Sequence, residues 1–222
     1  MAPSLPKGCF ITFEGPELAG KSTQINRLAA TLTAAGHQVL CTREPGGTVV
    51  GERLRDLVKH LTGPEAPCSE AELFIFAASR VQLMRQRLLP HLAAGGVVLC
   101  DRYADSTTAY QGYGRGVDLA LIAGLNATAT TGRWPDLTLL LDLTPEAAER
   151  RRPGRAEALG SGAPRDRFEE EAAAFHARVR AGYLTLAAAE PARWRTLNAD
   201  QPEATLAEAV AREVQHALAR LR

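Results

Sequence analysis

A chain of 222 residues is long enough to bury a core of its own, in one domain spanning 1–222. With 45% hydrophobic and 23% charged residues it has the balance of an ordinary globular protein, not of a disordered or membrane-embedded one. Its acidic and basic residues nearly cancel to a net +1, which gives no global electrostatic case for nucleic acid or a membrane surface as partner.

Two further exclusions follow. Met1 to Lys7 is too short and too polar for a signal peptide, and no apolar run approaches membrane length. Four cysteines, at 9, 41, 68 and 100, form no close pair, so a zinc site is not expected. Cys9, Cys41 and Cys100 fall in apolar, strand-like runs and read as small buried thiols, in keeping with a reducing cytoplasm.

The first element is an apolar run, Cys9-Phe10-Ile11-Thr12-Phe13, which reads as a buried strand. Behind it comes Gly15, four residues, then Gly20-Lys21-Ser22, the spacing of a phosphate-binding loop. Ile25, Leu28, Ala29 and Leu32 then recur at helical spacing. The loop thus lies between a strand and a helix N-terminus, where its chemistry works. Glycines let successive backbone N–H groups point inward at phosphate oxygens, and the helix end adds partial positive charge. Gly15, Pro16, Glu17, Leu18, Ala19, Gly20, Lys21, Ser22 and Thr23 form the expected ATP-binding segment. Lys21 is placed to reach the outer phosphates and Ser22 to ligand Mg²⁺.

Gln38 to Thr42 reads as a second strand ending in the breaker-rich loop Arg43 to Thr48. A helix with Leu54, Leu57 and Val58 follows and carries Arg55. Ser69 and Glu72 have the spacing of a capping box for a helix running to about Leu89, with Phe76 and Arg80 on it. Taken alone, Phe76 is a core residue and Arg80 lies on a solvated face. Val97 to Cys100 is a third strand, ending in Asp101-Arg102-Tyr103. The phosphate loop, Arg43-Glu44 and Asp101-Arg102 all follow strand ends, so three segments deliver charge to one edge of the sheet, the edge where open α/β sheets bind ligands. Ser106 to Gly114 is dense in hydroxyls, an amide and aromatics; it suits a pocket for a polar ring, or a helix N-terminus capped by Ser106 or Thr107.

Leu137 to Leu143 is a fourth strand, and Thr144-Pro145-Glu146 opens a helix with proline in its first turn. From Glu149 to Arg167 six arginines stand against three acids, interrupted by Pro153, Gly154, Gly160, Gly162 and Pro164. That composition reads as a solvated loop acting as a mobile, arginine-bearing lid over about 149–167. A helix from Glu169 to about Glu190, a short strand Arg193 to Leu197, a turn Asn198 to Pro202 and an amphipathic closing helix complete the chain. Strands alternate with helices, so the class is α/β with a mainly parallel sheet.

The assembled motifs resemble bacterial thymidylate kinases over nearly the whole chain. The resemblance rests on Phe13-Glu14-Gly15-x-Glu17-x-x-Gly20-Lys21-Ser22-Thr23, Thr42 to Thr48, Phe76-Ala77-Ala78-Ser79-Arg80, Pro135 to Thr138 and, most specifically, Asp101-Arg102-Tyr103 through Ala109-Tyr110-Gln111-Gly112. It implies the phosphate-loop nucleoside monophosphate kinase fold, a five-stranded parallel sheet flanked by helices with a mobile lid. It implies transfer of the γ-phosphoryl group of ATP to dTMP with Mg²⁺, giving dTDP for the dTTP used in DNA replication, by a homodimer. Among the expected dTMP-binding residues, Glu17 would hold the 3′-hydroxyl, Arg43 and Arg102 the acceptor phosphate, and Phe76 would stack on thymine. Arg80, Thr107 and Gln111 would read the polar edge of the base, Tyr110 would exclude a ribose hydroxyl, and Arg55 would lie near the acceptor. Asp101 would act near Mg²⁺ with Ser22, and Asn198 to Asp200 near adenine. Lys21, Arg43, Asp101 and Arg102 then make the catalytic set with lid arginines, for which Arg152 and Arg155 stand. The sequence itself does not choose among Arg150, Arg151, Arg152, Arg155, Arg165 and Arg167.

One residue departs from the family pattern. Leu18 stands where family loops have Gly or Arg, which puts the catalytic arginine in the lid and narrows the donor side. Two other readings are weighed against this one. A kinase for a deoxynucleoside lacks use for a two-arginine phosphate clamp, and one for dUMP differs only by a methyl group. A nucleotide-dependent switch of the GTPase kind needs an Asn-Lys-x-Asp motif, which is absent.

Overall fold

A computed structural model describes residues 8–159 and 167–221, with the side chains of 153–159 outside the description. Five strands form one sheet: β1 (Cys9–Glu14), β2 (Val39–Arg43), β3 (Val97–Asp101), β4 (Leu137–Asp142) and β5 (Trp194–Asn198). Their order is β2-β3-β1-β4-β5 and every pairing is parallel. The central strands β1, β3 and β4 are buried because they are continuous apolar runs covered on both faces, as parallel sheets require. The chain crosses from one side of β1 to the other between β3 and β4, which opens a crevice beyond the carboxyl end of β1.

Alternation along β1 sets the two layers. Cys9, Ile11 and Phe13 face α1 (Lys21–Ala34), together with Leu206, Val210, Val214 and Leu218 of the closing helix (Glu203–Arg220). Phe10 faces the opposite layer, packed with Leu83, Met84, Leu88 and Tyr103. That layer holds α2 (Val49–His60), α3 (Ser69–Leu83), α4 (Leu89–Ala93), α5 (Ala104–Thr107), α6 (Leu119–Thr130) and α8 (Ala173–Ala189), with α7 (Pro145–Leu159) between β4 and α8 in sequence and the closing helix numbered α9. None of the described helices is long and apolar enough to cross a membrane.

Several expectations are corrected. The helix foreseen to stop near Leu89 runs on to Ala93 through a π-helical turn, Met84–Leu88, where the Leu89 N–H donates to the Met84 carbonyl, and Pro90 falls in the first turn of the segment that follows. Ser69 is the first residue of α3 and not its cap; Glu72 turns inward instead and is fully buried. Ser106 and Thr107 likewise lie inside α5, whose N-cap is Tyr103, and a second π-helical stretch, Thr108–Gly114, follows. α6 has no counterpart among the expected elements. Asp118 caps it by accepting from the N–H groups of Ala120 at 2.6 Å and Leu121 at 3.1 Å. The stretch from Glu149, foreseen as a loop, is helical to Leu159, since Ala, Glu and Arg around Pro153 and Gly154 are strong helix formers. Cys41 is exposed on the edge strand β2, while Cys9 and Cys100 are buried as expected. Arg80 is 1% exposed, the opposite of a solvated face. The rest of the foreseen lid, 160–166 with Arg165, lies outside the described residues, as do Met1 to Lys7.

The ends of the strands are tied by two buried carboxyls. Glu14, the last residue of β1, accepts from the Tyr103 N–H at 2.8 Å, Ser106 Oγ at 2.6 Å and Tyr183 Oη of α8 at 2.9 Å. Glu44, after β2, accepts from Arg80 Nε at 2.8 Å. Burial pushes the Glu14 carboxyl up to about 7, with Asp105 adding to it and its hydrogen bonds opposing. Burial likewise pushes Glu44 up to about 7 against the pull of Arg80.

These shifts set a pH dependence. A raised carboxyl holds its proton in the fold at pH values where the unfolded chain has released it, so its stabilising contribution is full below about pH 4.5 and is lost as the pH rises through about 7. Thermal unfolding of Glu14→Gln measured beside the wild type between about pH 5 and about pH 8 checks this. The expected result is a variant whose Tm improves relative to the wild type as the pH rises; a constant difference contradicts it.

Candidate active site

One cavity of about 490 Å³ opens at the crevice beyond the strand ends. Its wall includes Glu17 to Thr23 of the loop after β1 apart from Ala19, then Arg43, Glu44 and Pro45 after β2, and Asp101 and Arg102 at the end of β3. Arg55 and Lys59 of α2, Phe76 of α3, Ser106, Tyr110 and Gln111, Arg151 of α7 and Phe168 close it. The three charged segments expected from strand ends therefore do converge.

The loop itself is shaped by backbone. Gly15 has φ +128°, and a Cβ there would lie 2.4 Å from the Leu141 carbonyl oxygen, so only glycine lets the loop leave β1 alongside β4. Leu18 is at φ +64°, a left-handed conformation that costs a side-chain-bearing residue about 1–2 kcal/mol. That explains why glycine suits this place, and the Leu18 side chain packs against the core in part compensation. Gly20 at φ +86° precedes Lys21 at the start of α1. The Lys21 ammonium donates to the carbonyls of Gly15 at 3.2 Å and Pro16 at 2.8 Å. Burial lowers its pKa, as does Arg102, while Asp101 and Glu17 resist.

Ser22 Oγ donates to Asp101 Oδ2 at 3.0 Å. The pair fits Mg²⁺: two hard oxygen ligands beside the phosphate loop, for an ion that takes one carboxylate and fills its remaining positions with phosphate and water. No cluster of three or more acidic, His or Cys ligands occurs among the described residues, so a dedicated protein cage is not what these residues offer.

Arg102 is the most heavily constrained cation. Its φ is +69°, its N–H donates to the Phe13 carbonyl at 3.0 Å, and its guanidinium lies 4.8 Å from the Tyr110 ring centre. It donates to Glu17 at 2.8 Å, Tyr110 Oη at 2.9 Å and Tyr183 Oη at 3.0 Å. Burial pushes the Glu17 carboxyl upward, but Arg102 and Lys21 outweigh it and hold it well below the usual carboxylate range. Arg43 pairs with Glu52 at 2.9 Å, and Arg55 donates to the Pro45 carbonyl at 2.9 Å.

Not all expected residues reach the cavity. Arg80 and Thr107 stand behind its wall. Arg80 donates to Glu44 at 2.8 Å, Asn126 at 2.7 Å and Thr107 Oγ1 at 2.7 Å, so its guanidinium braces α3 against α5 and α6. Arg152 is turned to Glu149, donating at 2.6 Å in an i,i+3 pair, and does not line the cavity. The Arg155 side chain lies outside the description. Arg151 lines the cavity instead, donating to the Leu18 carbonyl at 3.0 Å and also to the Ala199 carbonyl. With Arg150, paired to Asp200 at 2.8 Å, it ties α7 to the turn after β5. Sequence reasoning missed Lys59 and Phe168 on the wall and Tyr183 behind it; Ser106 lies in the segment Ser106 to Gly114 expected to suit a pocket, and it does line the cavity. Lys59 follows Arg55 by one helical turn, a spacing that could have flagged it; Phe168 meets Phe76 and Tyr110 edge-on, each at 6.0 Å between ring centres, a contact no local pattern announces.

Comparison with known proteins agrees with this geometry. The family model described as thymidylate kinase matches residues 13–210. A thymidylate kinase of Solidesulfovibrio magneticus is 51% identical over 202 residues, covering 90% of this chain and 96% of the relative. One from Deinococcus radiodurans is 49% identical over 199 residues, covering 90% and 92%. Among solved structures, the crystal structure of thymidylate kinase from Ehrlichia chaffeensis superposes with a TM-score of 0.74 at 32% identity, covering 95% of this chain and all of that one. Matched by the family model over residues 13–210 and by relatives of about 50% identity over most of its length, this chain belongs to the thymidylate kinase family.

Proposed function

We infer that the chain transfers the γ-phosphoryl group of ATP to dTMP, giving ADP and dTDP for dTTP supply. The observation that carries this is the convergence, in one cavity, of the phosphate-loop Lys21, the Ser22–Asp101 oxygen pair, two strand-end arginines and an aromatic pocket of Phe76 and Tyr110. The acceptor phosphate is already a nucleophile, so no general base is needed. What the protein must do is bring two anions together, and fixed positive charge is the means.

In this reading Lys21 and the loop N–H groups hold the donor phosphates, and Arg43 and Arg102 hold the acceptor phosphate. Ser22 and Asp101 hold Mg²⁺, which supplies positive charge to the donor phosphates. Phe76 stacks on the base, Gln111 reads its edge, Tyr110 fills the space beside the sugar, and Glu17 holds the 3′-hydroxyl. Arg80 and Thr107 act by fixing the wall behind the base. Arg151 is the α7 arginine best placed to meet the transferring group, ahead of Arg152. Holding donor and acceptor in line supplies much of the remaining rate.

The same reading includes a homodimer and a cytoplasmic setting. Val50, Leu57 and Leu61 around α2, Phe74 of α3, and Leu119 and Leu121 of α6 are exposed apolar side chains, and α3 packs against both α2 and α6, so one helical layer offers an apolar surface of the kind a second copy covers. The four cysteines are free thiols, in keeping with a reducing compartment.

Three measurements test this. ADP formation with ATP·Mg²⁺ is expected to be strong with dTMP, about 10–200-fold weaker with dUMP, which lacks one methyl group, and abolished in Lys21→Ala. Nucleotide binding with no turnover on dTMP, dUMP, dGMP or thymidine overturns it. Arg151→Ala is expected to lower kcat by about 10²–10³, and Arg152→Ala by far less; the reverse order moves the catalytic arginine to Arg152. Light scattering is expected to find a dimer that Leu57→Glu with Phe74→Glu converts to a folded monomer; a monomeric wild type at micromolar concentration ends the dimer reading.

A further inference from the structure

Glu72 stands behind the cavity wall beside Phe76 and Gln111, and the proposed function makes no use of its chemistry. It sits on α3 one helical turn before Phe76, with its side chain fully buried. Three groups converge on it. Gln111 Nε2 donates to its Oε1 at 2.6 Å, Arg115 Nε donates to the same oxygen at 2.9 Å, and the Arg167 guanidinium meets Oε2. Arg115 also pairs with Glu171 at 2.7 Å, and Arg167 donates to the Pro67 carbonyl at 3.0 Å. Two guanidinium groups in contact hold Glu72 as a carboxylate, and a carboxylate can only accept hydrogen bonds.

That fixes the polarity of Gln111. A glutamine side chain is nearly symmetric in shape and carries a donor nitrogen and an acceptor oxygen, so a half-turn of its amide reverses what it offers. Here the nitrogen must face Glu72. The oxygen is then what Gln111, a cavity-lining residue that is itself 1% exposed, presents on its other side. We propose that Glu72 is a specificity-determining positioning residue: it locks the Gln111 amide so that an acceptor faces the base, selecting pyrimidines that carry a ring N–H over those that carry a ring-nitrogen acceptor. Thymine and uracil have a donor at N3. Cytosine has a lone pair there and meets oxygen against nitrogen lone pair, with a buried acceptor left unpaired. The inference rests on the dTMP kinase reading, and it adds a reason for base choice that neither stacking on Phe76 nor a methyl-sized space supplies.

Glu72→Met is the direct test. Gln111 Nε2 and Arg115 Nε share one oxygen of Glu72, so an amide there could keep both bonds; methionine removes the acceptor and frees the Gln111 amide to swing its nitrogen to the base. The ratio of kcat/KM for dTMP over dCMP is expected to fall at least about tenfold, mainly through KM, with KM for ATP unchanged. Arg115→Met serves as the control for general loosening, because it removes a charged neighbour and leaves the carboxylate and its bond to Gln111. It is expected to lower the Tm and leave the ratio within about twofold. Glu72→Met that is folded by circular dichroism yet keeps the wild-type ratio overturns the proposal, and so does Arg115→Met that lowers the ratio as far.

A third measurement on the wild-type protein stands if Glu72→Met fails to fold. The side-chain amide protons of Gln111, followed by ¹⁵N-edited NMR, are expected to be slow to exchange without nucleotide and to keep their shifts when dTMP binds. Protons that exchange freely, or become protected only with dTMP, show that the nitrogen faces the base and end the proposal. A wild type inactive on dTMP fails the kinase reading instead, and the NMR result still reports the orientation by itself.

Discussion

The site depends on a carboxylate that never enters it. Glu14 closes the central strand and receives hydrogen bonds from the segment after β3, from α5 and from α8. Those same groups, Ser106 and Tyr183, also receive the guanidinium of Arg102. A buried arginine is tolerable only where its donors are met, and Glu14 is the anchor for the hydroxyls that meet them. Remove the anchor and Arg102 loses its frame before it loses its charge. The raised protonation of Glu14 reflects the same circumstance, since the carboxyl is held in a region from which water is excluded.

A second consequence of burial concerns Arg80. Its guanidinium is met by Glu44, Asn126, Thr107 and the Tyr103 carbonyl, which leaves it little to offer a ligand directly. It works at one remove, by holding the helices that carry Phe76 and Gln111 at a set distance. The Phe76–Gln111 side of the cavity is thus built in two layers, aromatic and amide groups inside and a salt-bridged shell of Glu44, Arg80, Glu72, Arg115 and Arg167 outside.

How much of this was legible in the chain follows from what a local pattern can carry. Strands such as Val97–Asp101 and Leu137–Asp142 were readable because burial on both faces makes them continuous apolar runs. The phosphate loop was readable because its function fixes spacing along the backbone. α6 was not, since it is apolar on nearly all sides and its only local signal is the Asp118 cap. The π-helical turn before Pro90 was not, because a proline seen alone marks an end, and only the packing of Met84 and Leu88 shows that the helix has reason to continue. Within the site, the residues on strand ends and loops were found by type and spacing. Lys59 and Phe168 were not, because each reaches the cavity through tertiary packing from an element whose own sequence points elsewhere; nor was Tyr183, which acts from behind the wall through its bonds to Glu14 and Arg102. Arg152 looked as good as Arg151 until the helix phase assigned one to Glu149 and the other to the cavity wall.

The partners of the cavity cations have one more implication. Lys21 is held by two loop carbonyls, Arg43 by Glu52, Arg55 by the Pro45 carbonyl, Arg102 by Glu17, and Arg151 by the Leu18 and Ala199 carbonyls. An arriving phosphate does not meet bare charge; it competes with acceptors already in place, so binding is an exchange of partners. A small free anion brings only its own oxygens to that exchange and gains little from it. A nucleotide brings a base and a sugar whose contacts are additional, and these tip the balance. On the proposed function, the wiring of the cations would filter against free phosphate and sulfate and make recognition of the nucleoside a condition for engaging these charges.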